Sequence, residues 1–192
     1  MVVLDIYKKK PSFLTPKDVV ESLSLTKGQT VIDYGAGAGF WAIPLAKKVG
    51  QSGVVYAVDC SADRLQVLKS VASLKKVANI KTVKSDKLGE PVSLKQKVDL
   101  ILVSNVLYEI NEHEDFLISL AQNAEVGTKL VIVDWNQDST MGPVLAKRTI
   151  EDQVVLLAAK AGFKFVRQLE TGTFHFGLMF TYTGEKFHAR KK

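Results

Sequence analysis

Val31-Ile32-Asp33-Tyr34-Gly35-Ala36-Gly37-Ala38-Gly39 leaves a short apolar strand, Thr30–Tyr34, and turns through three alternate glycines toward a helix expected over Phe40–Val49. Glycine at 35, 37 and 39 removes every Cβ from one side of the turn, so a ligand can approach the backbone closely. The unpaired N–H groups of the helix start suit a carboxylate. Phe40 stands where a dinucleotide fingerprint, G-x-G-x-x-G, would need its third glycine, so that pattern fails. The plain alternative is a tight turn that needs glycine only for packing.

The next strand, Gly53–Val58, is apolar until it meets Asp59, 20 residues after Gly39. A carboxylate in that place can accept both ribose hydroxyls of an adenosine ligand; its structural alternative is a cap for the helix that Ser61 opens and that runs to about Lys75. Ile80–Lys84 predicts a third strand. Val98–Ser104 is a continuous apolar run, as for a strand buried on both faces. A helix over about Glu112–Ala124, a strand at Lys129–Asp134 and a helix at Ile150–Ala161, stopped by Gly162, follow. The strands Phe163–Leu169 and Phe174–Thr181 are joined by Glu170–Thr173, too short for a parallel crossover, so they must form an antiparallel pair. The expected fold is α/β: a Rossmann-like seven-stranded mixed sheet with a C-terminal antiparallel hairpin and helices on both faces.

A chain of 192 residues, 46% hydrophobic and 24% charged, suits one globular domain. Residues 1–28, with a helix from Pro16 to Leu23, would cover one end of the sheet. No apolar run is long enough to span a bilayer, so no membrane partner is expected. The lone cysteine, Cys60, excludes a disulfide framework and any multi-cysteine metal site; no metal is expected, and the location expected is cytoplasmic. Of the net charge of +6, residues 1–10 carry +2 and residues 184–192, a basic tail, carry +3, which leaves the body near neutral. That distribution argues against a nucleic-acid partner, which calls for a basic stripe on the folded face. Oligomeric state leaves no mark in this sequence.

With the glycine turn, Asp59 and the terminal hairpin in place, the chain resembles class I S-adenosylmethionine-dependent methyltransferases over about residues 12–181, and within them a subgroup of small prokaryotic type 11-like enzymes. The resemblance implies S-adenosyl-L-methionine as cofactor. Asp33, Gly35, Gly37 and Gly39 would hold its methionine end, Asp59 its ribose, and Ser85-Asp86 would place Asp86 near the adenine amino group. Cys60 would line the pocket beside Ser61, and Ser104 and Asn105 would border it after the fourth strand. The subgroup's frame reads here as Asn105-Val106-Leu107-Tyr108-Glu109, Asp134-Trp135, Gly142-Pro143-Val144, Arg148 and His175-Phe176-Gly177. It departs at Tyr108, where the subgroup has histidine.

Methyl transfer is an in-line displacement in which the protein aligns the acceptor, excludes water and removes a proton where one must leave. Tyr108, Glu109 and His175 are the candidate catalytic residues, and Asp134, Trp135 and Arg148 the candidate acceptor-binding residues. Together with Asn105 they are expected to converge on one cavity, with Arg148 suited to an anionic acceptor. Each has a structural alternative. Glu109 could serve a helix dipole and Asp134 a turn; Tyr108 and Trp135 could be packing, and His175 a buried structural histidine.

A small-molecule acceptor is expected. Exocyclic-amino base methyltransferases carry a Pro-Pro-aromatic run where Val106-Leu107 follow Asn105. Cytosine five-position enzymes need a Pro-Cys nucleophile, arsenite methylation several thiolates, and catechol-type enzymes metal-binding carboxylates in place of Ser104. RNA or protein acceptors remain alternatives, as does a non-catalytic S-adenosylmethionine-binding subunit. A nicotinamide oxidoreductase is disfavoured by Phe40, by the hairpin and by the lack of a Tyr-x-x-x-Lys pair.

Overall fold

A computed structural model describes residues 12–90, 92–94 and 96–185. The sequence expectations for residues 1–11 and for most of the basic tail lie outside the described residues. The elements are α1 (Pro16–Ser22), β1 (Thr30–Tyr34), α2 (Ala42–Val49), β2 (Val54–Asp59), α3 (Ala62–Leu74), β3 (Ile80–Lys84), β4 (Val98–Ser104), α4 (His113–Leu120), β5 (Ala124–Trp135), α5 (Glu151–Lys160), β6 (Phe163–Gln168) and β7 (His175–Tyr182). Short 3-10 turns lie at Leu107–Glu109, Ala121–Asn123 and Leu145–Lys147.

One seven-stranded sheet runs β3-β2-β1-β4-β5-β7-β6. β1 to β5 pair in parallel, whereas β7 is antiparallel to both β5 and β6. β7 therefore slots between β5 and β6, and its first residues lie at the end of the sheet where β1, β4 and β5 finish. All the loops that carry candidate site residues meet at that end.

The central strands alternate between two cores. Leu100, Leu102, Val131 and Val133 face α1, α2 and α3, and Ile101, Val103, Leu130 and Ile132 face α4 and α5. Both sets are fully buried, which is why the strands read as unbroken apolar runs. Cutting one such leucine to alanine should cost about 2–5 kcal/mol, so the platform under the loops is rigid. Ser61 caps α3 as expected, its Oγ accepting from the Arg64 N–H at 3.3 Å.

Two boundaries differ from expectation by more than two residues. The fourth helix ends at Leu120, and β5 begins at Ala124, five residues before the apolar run at Lys129. Thr128 accounts for the early start: its Oγ donates to the Val98 carbonyl at 2.6 Å and accepts from the Glu125 N–H at 3.0 Å, so side-chain bonds hold a polar stretch along β4. Among the described residues no helix is long and apolar enough to cross a membrane.

Candidate active site

The cofactor half of the site is built from backbone. After β1 the Gly35 and Ala36 N–H groups donate to the Val58 carbonyl at 2.8 and 3.0 Å, which folds the glycine turn onto the end of β2. Asp59, 2% exposed, accepts from the Gly37 N–H through Oδ2 and from the Ser61 N–H through Oδ1, both at 2.8 Å. One carboxylate thus ties the loops after β1 and β2. Gly35 sits at φ +71°, and a Cβ there would lie 2.4 Å from Val106 Cγ2, so the loop after β4 closes against the turn. A Cβ on Gly37, at φ +51°, would have only the Gly35 carbonyl 4.0 Å away. Space is open above Gly37, and its positive φ favours glycine.

Two buried acceptors in this half are orphaned. Neither carboxylate oxygen of Asp33, nor Oδ1 of Asn105, has a hydrogen-bond partner among the described residues. Burial pushes the Asp33 pKa up to about 8; the Asp59 carboxylate adds to the rise, and the Ala42 N–H draws it down without completing a bond. Unsatisfied buried acceptors cost free energy unless a ligand supplies donors. These two follow or precede the ends of neighbouring strands, β1 and β4, beside the open space at Gly37. The residues present therefore fit S-adenosylmethionine, which carries an ammonium and hydroxyl donors. Cys60 is half-buried and unbonded to any other cysteine. The Ser85 N–H donates to the Asp59 carbonyl at 3.2 Å, and the N–H of the exposed Asp86 donates to Glu90 Oε2 at 2.9 Å. Ser104 Oγ accepts from the Trp41 indole N–H at 2.8 Å, a bond from the helix start after the turn to the end of β4.

The acceptor half uses its polar side chains on the protein itself. Asp134, 1% exposed, accepts from the Leu107 N–H at 3.0 Å and from the Trp135 N–H at 2.8 Å. It pins the loop after β4 to the end of β5, as does the Asn105 N–H donating to the Val133 carbonyl at 2.9 Å. Burial raises the Asp134 pKa to about 6 against the pull of these N–H groups and of His113. Tyr108 donates to Glu109 Oε1 at 2.7 Å. Burial first, then that bond, pushes the phenol up to about 12, so it stays protonated.

Trp135 lies against His175, ring centroids 4.2 Å apart. A Cβ on Gly142 would fall 2.4 Å from the indole, so the loop after β5 folds back over Trp135. Both ring nitrogens of His175 are buried without partners among the described residues, and burial lowers its pKa. Burial favours the neutral imidazole. Arg148 turns onto its own loop. Its Nε donates to the Pro143 carbonyl at 2.9 Å; Nη1 donates to Asn136, Gln137 and Ser139 at 2.8, 3.1 and 2.6 Å, and Nη2 to Met141 at 3.0 Å. The guanidinium staples the loop, with Nε and Nη1 engaged on its carbonyls. The expected convergence takes the form of two linked groups: Asn105, Tyr108, Glu109 and Asp134 at the end of β4, and Trp135, His175 and Arg148 beyond β5.

A model of the family described as "Methyltransferase domain" matches residues 25–173, more than three-quarters of the chain. The chain belongs to the methyltransferase domain family. A S-adenosylmethionine-dependent methyltransferase from Aquifex aeolicus of known structure is 28% identical, with a TM-score of 0.78 over 89% of this chain and 91% of that one. The demethylmenaquinone methyltransferase of Geobacillus sp. (strain WCH70) is 25% identical over 126 residues, 66% of this chain and 53% of the relative. The chain thus spans about half the length of the curated relatives it matches. A magnesium protoporphyrin IX methyltransferase from Synechocystis, 20% identical with a TM-score of 0.71, shares the fold.

Several residues at the site carried no sequence signal. Val106 reads as one more apolar residue, yet it closes the glycine turn. Trp41 reads as core, yet its N–H occupies Ser104. Arg64, one turn into α3, lies close enough for its charge to act on the Tyr108 phenol, which places a cation between the loops after β2 and β4. Only its position in the first turn after Asp59 hints at that.

Proposed function

We propose that the protein transfers the methyl group of S-adenosylmethionine to an uncharged, largely apolar small molecule whose reacting atom gives up a proton. The cofactor supplies a methyl group already activated by sulfonium charge. Asp59 holds the ribose, the Asp33 carboxylate and the glycine turn hold the methionine end, and Ser85-Asp86 borders the adenine.

The observation that carries the acceptor class is the spent guanidinium. With Arg148 bonded to five loop carbonyls and burial favouring a neutral His175, the acceptor half presents Trp135 as an aromatic wall, and the described cation whose charge acts on Tyr108 is Arg64, one that the first turn of α3 supplies after β2. Glu109 is exposed and acts as proton acceptor; Tyr108, kept protonated, orients it by donating to its carboxylate. His175 supports Trp135 from beneath. An apolar ring system of the quinol kind fits this wall, in keeping with the relatives named demethylmenaquinone methyltransferases. A chain with one cysteine suits action from the cytoplasm.

The test is transfer of labelled methyl from S-adenosylmethionine to a panel of hydroquinols and phenols set against matched carboxylated analogues. The uncharged members should be methylated in preference. Preference for the carboxylated members would overturn the acceptor assignment and leave the cofactor assignment standing.

A further inference from the structure

The near-neutral body holds its charge unevenly. Residues 64–87, which run through α3 and β3, carry seven basic side chains and one carboxylate, Asp86. The rest of residues 11–183 carries twelve basic side chains and seventeen carboxylates. Both elements lie at one edge of the sheet, since among the described residues β3 pairs with β2 alone. Lys69, Lys76, Lys81 and Lys84 are exposed there. Asp63 lies in the first turn of α3, and Asp86 and Glu90 follow β3, where Glu90 Oε2 accepts from the Asp86 and Lys87 N–H groups. These carboxylates stand at the two ends of the stretch, and no acidic residue lies between Arg64 and Ser85.

The two edges of the sheet differ. β6 shifts register against β7 between Phe165 and Arg167, and a bulge of this kind twists an edge away from further pairing. β3 stays in register with β2 from Ile80 to Lys84. The Asn79 carbonyl accepts from the Val55 N–H at 3.0 Å, and the Ser85 N–H donates to the Asp59 carbonyl at 3.2 Å. By alternation, Lys81 and Val83 turn their backbone groups to β2, and Ile80, Thr82 and Lys84 turn theirs outward. Those outward N–H and carbonyl groups meet no partner among the described residues. Beside them, on the α3 side, lies a groove of about 520 Å³ lined by apolar Leu68, Ala72 and Ile80 and by polar Lys69, Lys76 and Thr82. No described carboxylate lines it. On the opposite face of the strand the Lys81 ammonium lies 5.4 Å from the centroid of the Tyr56 ring.

We propose that β3 is a docking edge for an extended acidic segment of a partner protein, which adds to the sheet as a further strand and lays alternate side chains over the groove. Lysines on an edge strand ordinarily guard it against pairing with a copy of itself. The same charges draw in a strand of opposite sign. In strand addition the main-chain bonds give affinity, and the pockets for alternate side chains give specificity. The outward backbone favours a peptide over a nucleic acid. Ile80, Thr82 and Lys84 each present a carbonyl beside an N–H; a peptide strand satisfies both, whereas a phosphate can accept only from the N–H. The docking adds a protein partner to the small molecule of the proposed function and does not depend on that reading.

The experiment is amide hydrogen exchange read by NMR on the full chain, titrated with a blocked peptide of about nine residues, a long strand's length, that alternates glutamate and valine. Exchange at Ile80, Thr82 and Lys84 is expected to slow, and the effect should weaken as salt rises. The same peptide N-methylated at alternate residues, which leaves the protein untouched, should not bind; nor should a peptide alternating lysine and valine. Thr82→Pro removes one outward N–H where an edge strand tolerates proline, and should weaken binding by at least about tenfold. Lys69→Gln with Lys76→Gln, which leaves the backbone as it is, should weaken it by about fivefold. No slowing at the three amides, or equal binding of the N-methylated or the lysine peptide, overturns the proposal. So does a single-stranded oligonucleotide that binds this edge where the acidic peptide does not, since the lysines would then serve phosphates. Slowing of the same amides with protein concentration alone also overturns it, because the edge would then pair two copies of the chain.

Discussion

The loops after β1 and β2 and the loops after β5 and before β7 lie at one end of one sheet, yet they spend their polar groups in opposite ways. On the cofactor side the backbone does the binding and acceptors are left over: Asp33 and the Asn105 carbonyl are buried without partners among the described residues. On the acceptor side the side chains are consumed. Arg148 is committed to five carbonyls and Asp134 to two N–H groups, while His175 lies against Trp135 with its ring nitrogens unpartnered among the described residues. A half-site with orphaned acceptors is prepared for a ligand that brings donors. A half-site whose carboxylate and guanidinium are engaged internally, and whose one orphan is an imidazole that burial favours as neutral, can shape a largely apolar cavity.

Asp59→Ala gives the largest effect expected from this contrast. It removes the ribose acceptor and also the two bonds that tie Gly37 and Ser61 together. Cofactor affinity measured by calorimetry should fall by about 3 kcal/mol or more, over a hundredfold in Kd. A loss below tenfold would mean that the ribose is held elsewhere.

Glu109→Gln should lower kcat by about a hundredfold, the low end for a positioned base because the carboxylate is exposed, with cofactor Kd unchanged. Tyr108→Phe, which removes only the orienting bond, should cost less. An unchanged kcat in Glu109→Gln would show that the acceptor needs no base.

Arg148→Met separates a staple from an anchor. Loss of the bonds to the loop should destabilise the protein by about 2 kcal/mol, a fall in Tm of about 4–8 °C, and lower turnover of uncharged acceptors. If the guanidinium anchored an anion, Tm would hold and the acceptor KM alone would rise.

The smallest effect is a pH dependence. The folded-state pKa of Asp33, about 8, stands above the ordinary 3.8. The folded apo protein therefore keeps a proton that the unfolded chain releases. The stability linked to that proton is fully present below about pH 4 and is lost as pH rises toward 8. Asp33→Asn should match the parent's Tm near pH 4 and exceed it near pH 8. Because the cofactor ammonium favours ionised Asp33, parental affinity should climb by up to about tenfold per pH unit from about pH 6 to 8, while the variant stays flat. A parental profile as flat as the variant's would remove Asp33 from the methionine end.

How much was legible follows the range of each interaction. The strands from Thr30 and Val98 show themselves because burial on both faces demands consecutive apolar residues. The antiparallel ending shows itself because Glu170–Thr173 cannot span a crossover. Ser61 is readable as a cap, since its partner is three residues away. The early start of β5 is not readable, because Thr128 finds its partner on β4, 30 residues back.

The sequence by itself determined the αβ order, the glycine turn, the acidic residue after the second strand and the hairpin, all of which rest on neighbours within a few residues or on the period of burial. Tertiary structure alone decided that β7 enters between β5 and β6, that Val106 closes the turn, and how Arg148 spends its charge. A guanidinium in a loop is chemically ready for an anion or for carbonyls. Which it takes depends on the oxygens that the folded chain delivers to it, and here the loop after β5 delivers five.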